Sequence, residues 1–165
     1  MQNFSASKQF GISYGSLEIQ DYYDLHTYEG GFQADMYVKW NKVKAFFSTT
    51  NSNQNKIWLN HLSGTSSSAS NLINKWITLW FVASGNQSRD TNSSNKHLTP
   101  IVEGEPMNIP PSQYPDYPAI LDSFYEKWII YYEGTNNLTT QWIKNNRVPH
   151  VGIIAADFPG KGLLL

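Results

Sequence analysis

Three strand-like stretches in this sequence each end on a side chain able to do acid–base or hydrogen-bonding chemistry. "SLEIQD" closes on Asp21, "KIWLNH" on His61 and "VGIIAAD" on Asp157. Carboxylates and imidazoles transfer protons near neutral pH, and carboxylates also grip hydroxyl-rich ligands. Asp157 stands out because a bare carboxylate tips an apolar run and is followed at once by Pro159 and Gly160 after Phe158, with no cation beside it in sequence. Its alternative role is that of a solvated turn residue; its place at a strand end favours a site, with a neutralising partner brought from another strand. Asp21 and His61 have the same two readings, a site role or a structural one.

The elements that would position these residues follow from periodicity. "SLEIQDYY" (16–23) alternates apolar and polar residues as a strand does, and "KIWLNHL" (56–62) and "VGIIAA" (151–156) read as buried strands. Phe32, Met36, Trp40, Val43 and Phe47 recur at helical spacing. "NLINKWITLWFVA" (71–83) reads as a short helix, with a strand over "ITLWFV" as its alternative. A helix is expected over 119–132, opened by Pro118 and carrying Leu121, Phe124, Tyr125, Trp128 and Tyr132 on one side, and another over 135–145. Residues 84–118 hold six of the eight prolines and read as a long loop insertion. Buried strands joined by helices lie parallel with right-handed crossovers, so their C-terminal ends meet at one edge, where α/β folds bind ligands. Asp21, His61 and Asp157 all belong to that edge. His150 precedes its strand and belongs to the opposite edge, where a structural role is expected. His26 and His97 fall in loops and carry little signal.

Composition narrows the function classes. The chain has 165 residues, 12 Lys plus Arg against 13 Asp plus Glu, and no cysteine. That is one domain, without the basic footprint of a nucleic-acid binder and without thiolate or disulfide chemistry. The first ten residues lack the features of a signal peptide. Sequons begin at Asn3, Asn86, Asn92 and Asn137, and they suggest a secreted or membrane-associated protein only if an upstream signal exists.

"IQDYY", "KIWLNHLSGT" and "RVPHVGIIAADFPG" together resemble the C-terminal half of the catalytic X-type domain of single-domain phosphatidylinositol-specific phospholipases C. The resemblance covers roughly residues 16–160 and is most specific over "VGIIAADFPG". It implies an α/β fold, a partial TIM-type barrel whose three parallel strands correspond to strands six to eight. It implies a phosphoric diester hydrolase that cleaves phosphatidylinositol to diacylglycerol and a cyclic inositol phosphate, with transient membrane contact. Carried over by position, Asp157 matches the aspartate that hydrogen-bonds the general-base histidine. Asp21 matches an aspartate binding an inositol hydroxyl, and Tyr23 the aromatic that stacks on the inositol ring. The residues alone leave Tyr22 and Tyr23 in competition for that direction.

The sequence departs from the family pattern. No "GTHDS"-like motif is present, so the catalytic histidines are expected on a missing N-terminal half of the barrel, a further partner of this chain. No cofactor is expected; calcium serves some family members, but its ligands belong to the half not seen here. The isolated 165 residues are therefore expected to be inactive and to expose apolar sheet surface. The alternative is a non-catalytic module that holds inositol or a sugar. Tyr114, Tyr117 and Ile109, beside prolines in the insertion, are candidates for lipid contact.

Overall fold

A computed structural model describes residues 10–25, 31–52, 55–65, 79–86, 110–124 and 126–159. The chain opens with β1 (Phe10–Tyr14) and β2 (Leu17–Gln20), an antiparallel hairpin turning at Gly15, whose φ is 61°. Helix α1 (Gly31–Ser52) leads to β3 (Ile57–His61), and α2 (Leu79–Ser84) follows. After a single 3₁₀ turn at Pro111–Gln113 come β4 (Ala119–Asp122), β5 (Lys127–Ile130), α3 (Thr135–Asn146) and β6 (Ile153–Ala155). The main sheet runs β1-β2-β3-β6, with β2 parallel to β3 and β3 parallel to β6. The fold is α/β around a parallel three-strand sheet, as the three strand signals predict, with β1 added as an antiparallel edge.

Parallel register decides which side chains share a face. Glu18 pairs with Trp58, and Gln20 with Asn60, which pairs in turn with Ile154. This face looks at α1: Trp58 meets Phe46 edge-on at 5.4 Å, and Asn60 Nδ2 donates to the Val43 carbonyl at 3.2 Å. α1 presents Met36, Trp40, Val43 and Phe47 to the core, all essentially inaccessible, as its helical spacing requires. α3 covers the same core, with Leu138 buried and Trp142 meeting Trp40 edge-on at 6.2 Å. The opposite face of the sheet carries Ile57, Leu59 and Ile153, of which Ile57 and Ile153 are more than half exposed. On the same face Ile19 is buried and Leu59 half-buried, so the exposure is partial.

Residues 119–132 are a β-hairpin, not a helix. Ala119 pairs with Ile130 and Leu121 with Trp128 in antiparallel register. The apolar residues at helical spacing are mostly not buried, since Leu121 and Phe124 are exposed while Ile130 and Tyr132 are enclosed. Ile120, Trp128, Ile129 and Ile130 favour a pleated strand. The Asp122 carboxylate accepts from the Phe124 backbone N–H at 2.9 Å, an Asx turn that reverses the chain. Tyr114 and Tyr117 are also not free for lipid. Their rings stack at 5.9 Å, and Tyr117 is buried against Tyr132. Ile109, His26, His97, Tyr125 and residues 71–78 lie outside the described residues.

Two glycines let α2 and α3 approach. Gly85 has φ 77° and Gly134 has φ 83°. A Cβ on Gly134 would fall 2.5 Å from the Ser84 carbonyl carbon and 2.7 Å from the Gly85 nitrogen. Gly134→Ala therefore combines a strained backbone with a clash against main chain that has no rotamer to yield. A loss of roughly 2–4 kcal/mol is expected, read as a lower urea midpoint; a loss under about 0.5 kcal/mol, the range of neutral surface changes, would show that the two turns are not in contact.

Candidate functional site

The C-terminal edge of the parallel strands is held together by a buried polar network. Gln20, the last residue of β2, is fully buried, and its Nε2 donates to Asn60 Oδ1 and to the His61 carbonyl, each at 2.8 Å. Its Oε1 accepts from the Tyr22 backbone N–H at 2.7 Å, which shapes the chain as it leaves the sheet. From α1, Lys39 reaches the same edge with zero exposure. Its ammonium donates to the Tyr22 and His61 carbonyls, both at 2.7 Å, bridging the ends of β2 and β3. Burial pushes this ammonium down to about 7, against a partial upward pull from the carboxylates of Asp21 and Asp157. Desolvation wins because a buried charge loses its water, while the two anions restore only part of that stabilisation.

The edge thus brings Asp21 and Asp157 to one cation, although they are far apart in sequence. Asp157 follows β6, half-buried, and its Oδ2 is enclosed without a hydrogen-bond partner. Asn136, in the first turn of α3, touches the same segment through its Nδ2, which donates to the Asp157 carbonyl at 2.8 Å. Tyr22 turns toward the α1 side, where the Lys42 ammonium lies 5.1 Å from its ring centre. Tyr23 is more exposed, at 38%, as the neighbour pointing the other way should be. His61 is half-buried, and alternation along β3 sets its side chain on the face opposite Asn60. Its backbone carbonyl, rather than its imidazole, anchors the network.

The opposite edge has a shallow depression of about 300 Å³, lined by Thr50, Lys56, Ile57, Trp58, His150, Gly152 and Ile153. His150 lies there, at the N-terminal edge, as its position before the strand predicts. The depression is far from the carboxylates, and its cation, Lys56, is paired with Glu18. Among the described residues, no three His, Cys, Asp or Glu side chains gather closely enough to hold a metal ion.

Lys39, Gln20, Asn60 and Asn136 were not singled out from sequence. Lys39 had a readable signal, because it sits three residues after Met36 and four before Val43, on the buried stripe of α1. Comparison with protein-family models, curated proteins and solved structures finds no match to this chain.

Proposed function

We propose that this chain forms the head-group side of a phosphodiesterase of the phosphatidylinositol-specific phospholipase C type, its three parallel strands being part of a TIM-type barrel. The observation that carries the reading is the convergence of Asp21 and Asp157 at the C-terminal edge, with one Asp157 oxygen enclosed and unpartnered. A buried acceptor in that state lacks a hydrogen bond worth about 1–3 kcal/mol. An imidazole N–H supplied across the barrel would donate to that oxygen. In that role Asp157 fixes the histidine tautomer and stabilises the imidazolium as the base takes the 2-hydroxyl proton of inositol. The new inositol oxygen–phosphorus bond forms as the bond to the diacylglycerol oxygen breaks, and a second histidine protonates the leaving oxygen. Asp21 would accept from an inositol hydroxyl, Tyr23 would stack on the ring and His61 would line the pocket. Both catalytic histidines belong to another part of the barrel under this reading.

The test is glycerophosphoinositol binding to the 165-residue chain, followed by NMR shift changes, together with cyclic inositol phosphate release from phosphatidylinositol vesicles. Saturable binding is expected at Asp21, Tyr23 and Asp157, weakened about tenfold by Asp21→Asn, one hydrogen bond to a charged group. Release by the chain alone should stay at background. No binding would overturn the reading. Turnover by the chain alone would overturn the assignment of base and acid to another segment, and binding that survives Asp21→Asn undiminished would favour a module that holds its ligand elsewhere.

A further inference from the structure

Asn136 is joined to the turn that carries Asp157, where the Phe158 ring also meets Trp80 edge-on at 5.3 Å. Asn136 Nδ2 donates to the Asp157 carbonyl at 2.8 Å and to the Phe158 carbonyl at 3.2 Å. Two carbonyl neighbours fix the amide orientation, since a flipped amide would set oxygen against oxygen. Between those contacts the backbone turns through Phe158, a non-glycine residue at φ 48°, a left-handed conformation that costs roughly 1–2 kcal/mol. A turn of that kind persists where its surroundings hold it, and such strain gathers at functional sites. The other end of the amide, Oδ1, is enclosed without a partner, as is Asp157 Oδ2. A junction built for stability alone would not leave two acceptors unmatched.

We propose that Asn136 is the positioning residue of Asp157: its amide locks the left-handed turn and so holds the carboxylate toward Lys39, with Oδ2 enclosed and left without a donor from this chain. The proposal deepens the phosphodiesterase reading, in which Asp157 must be aimed at a donor from across the barrel. The charged groups acting on Lys39 are Asp21, beyond β2, and Asp157, beyond β6. Lys39 therefore reports where the Asp157 carboxylate is. If the turn relaxes, Asp157 swings toward water, and the Lys39 titration midpoint falls.

The experiment is an NMR titration of Lys39 Cε in the unaltered chain and in Asn136→Leu, Asn136→Ala and Asp157→Asn. The Asn136 variants should lower the midpoint in the same direction as Asp157→Asn, and pairing either with Asp157→Asn should add little further. A purely structural role would lower the melting temperature and leave the Lys39 midpoint in place, which would overturn the proposal, as would an unmoved midpoint in Asp157→Asn. The unaltered chain gives a second reading that needs no variant to fold. The Asn136 side-chain amide protons should exchange with water far more slowly than those of exposed Asn137, and equal exchange would overturn the clamp. None of these readouts uses lipid or inositol, so failure of head-group binding would be separate from failure of this proposal.

Discussion

Raising the pH from 7 toward 9.5 should make the folded chain more stable, by ~3 kcal/mol if the buried lysine dominates. The cause is Lys39, held at about 7 against an ordinary 10.5. Across that interval the unfolded chain keeps the proton on this amine and the folded chain has released it. The unfolded state binds more protons, so unfolding free energy rises with pH. Below pH 7 both states are protonated and the slope from this group vanishes. Above about pH 10 the trend should reverse, because burial raises the phenols of Tyr117 and Tyr132 and the unfolded chain ionises them first. Urea unfolding at half-unit steps from pH 6 to 10 measures the profile. Lys39→Met should remove the rise between 7 and 9.5, at the cost of leaving the Tyr22 and His61 carbonyls without their donor. A flat profile in the unaltered chain would mean that water reaches the ammonium and that the site edge is more open than its zero exposure indicates.

That titration matters for the site because it falls near neutral pH, where a change in Lys39 changes the field on both carboxylates. A strongly shifted group beside two charged partners, at the ligand-binding edge of a parallel sheet, is the pattern functional sites display. Its two carbonyl acceptors serve the amine as well as the ammonium, so the bridge between the ends of β2 and β3 persists on either side of the titration. What changes is the charge facing Asp21 and Asp157.

The parallel strands were legible in the sequence because β2 alternates apolar and polar residues and β3 and β6 are short β-branched apolar stretches bounded by turn residues, although one face of the sheet is partly exposed, and α1 because one stripe of it is buried along many turns. The strand ends then located Asp21, His61 and Asp157 without further information. The hairpin at 119–130 was misread because Leu121, Phe124 and Trp128 happen to fall at helical spacing, while the Asx turn at Asp122 that breaks the helix depends on one side-chain contact. β1 escaped notice because, among the described residues, it pairs with β2 alone, across a tight glycine turn. The network of Gln20, Asn60 and Lys39 was hidden for another reason. Polar residues in apolar runs look like surface positions until the register puts Gln20 beside Asn60 and the helix brings Lys39 over both strand ends. Asn136 gave no local signal, since its partners lie 21 and 22 positions away.

Under the proposed phosphodiesterase reading, in a barrel completed by strands that bear the histidines, Asp157→Asn is expected to keep the fold and lower turnover by up to ~10⁴, the loss seen for the orienting aspartate of serine proteases. The amide has the carboxylate's shape but presents a donor in place of one acceptor, so it favours the wrong imidazole tautomer and cannot stabilise the imidazolium. The fold should survive because the Asp157 contacts that hold the turn are made by its backbone carbonyl to Asn136, which the substitution leaves untouched. Removing the charge also withdraws one of the two anions that raise Lys39, so the lysine should be neutral over more of the physiological range and should add no uncompensated buried charge. Cyclic inositol phosphate release from phosphatidylinositol vesicles, measured with unaltered and substituted barrels of matched thermal stability, separates chemistry from folding. A loss of less than about tenfold, ~1.4 kcal/mol of barrier, would assign Asp157 to the scaffold of the site and leave Asp21 as its working carboxylate.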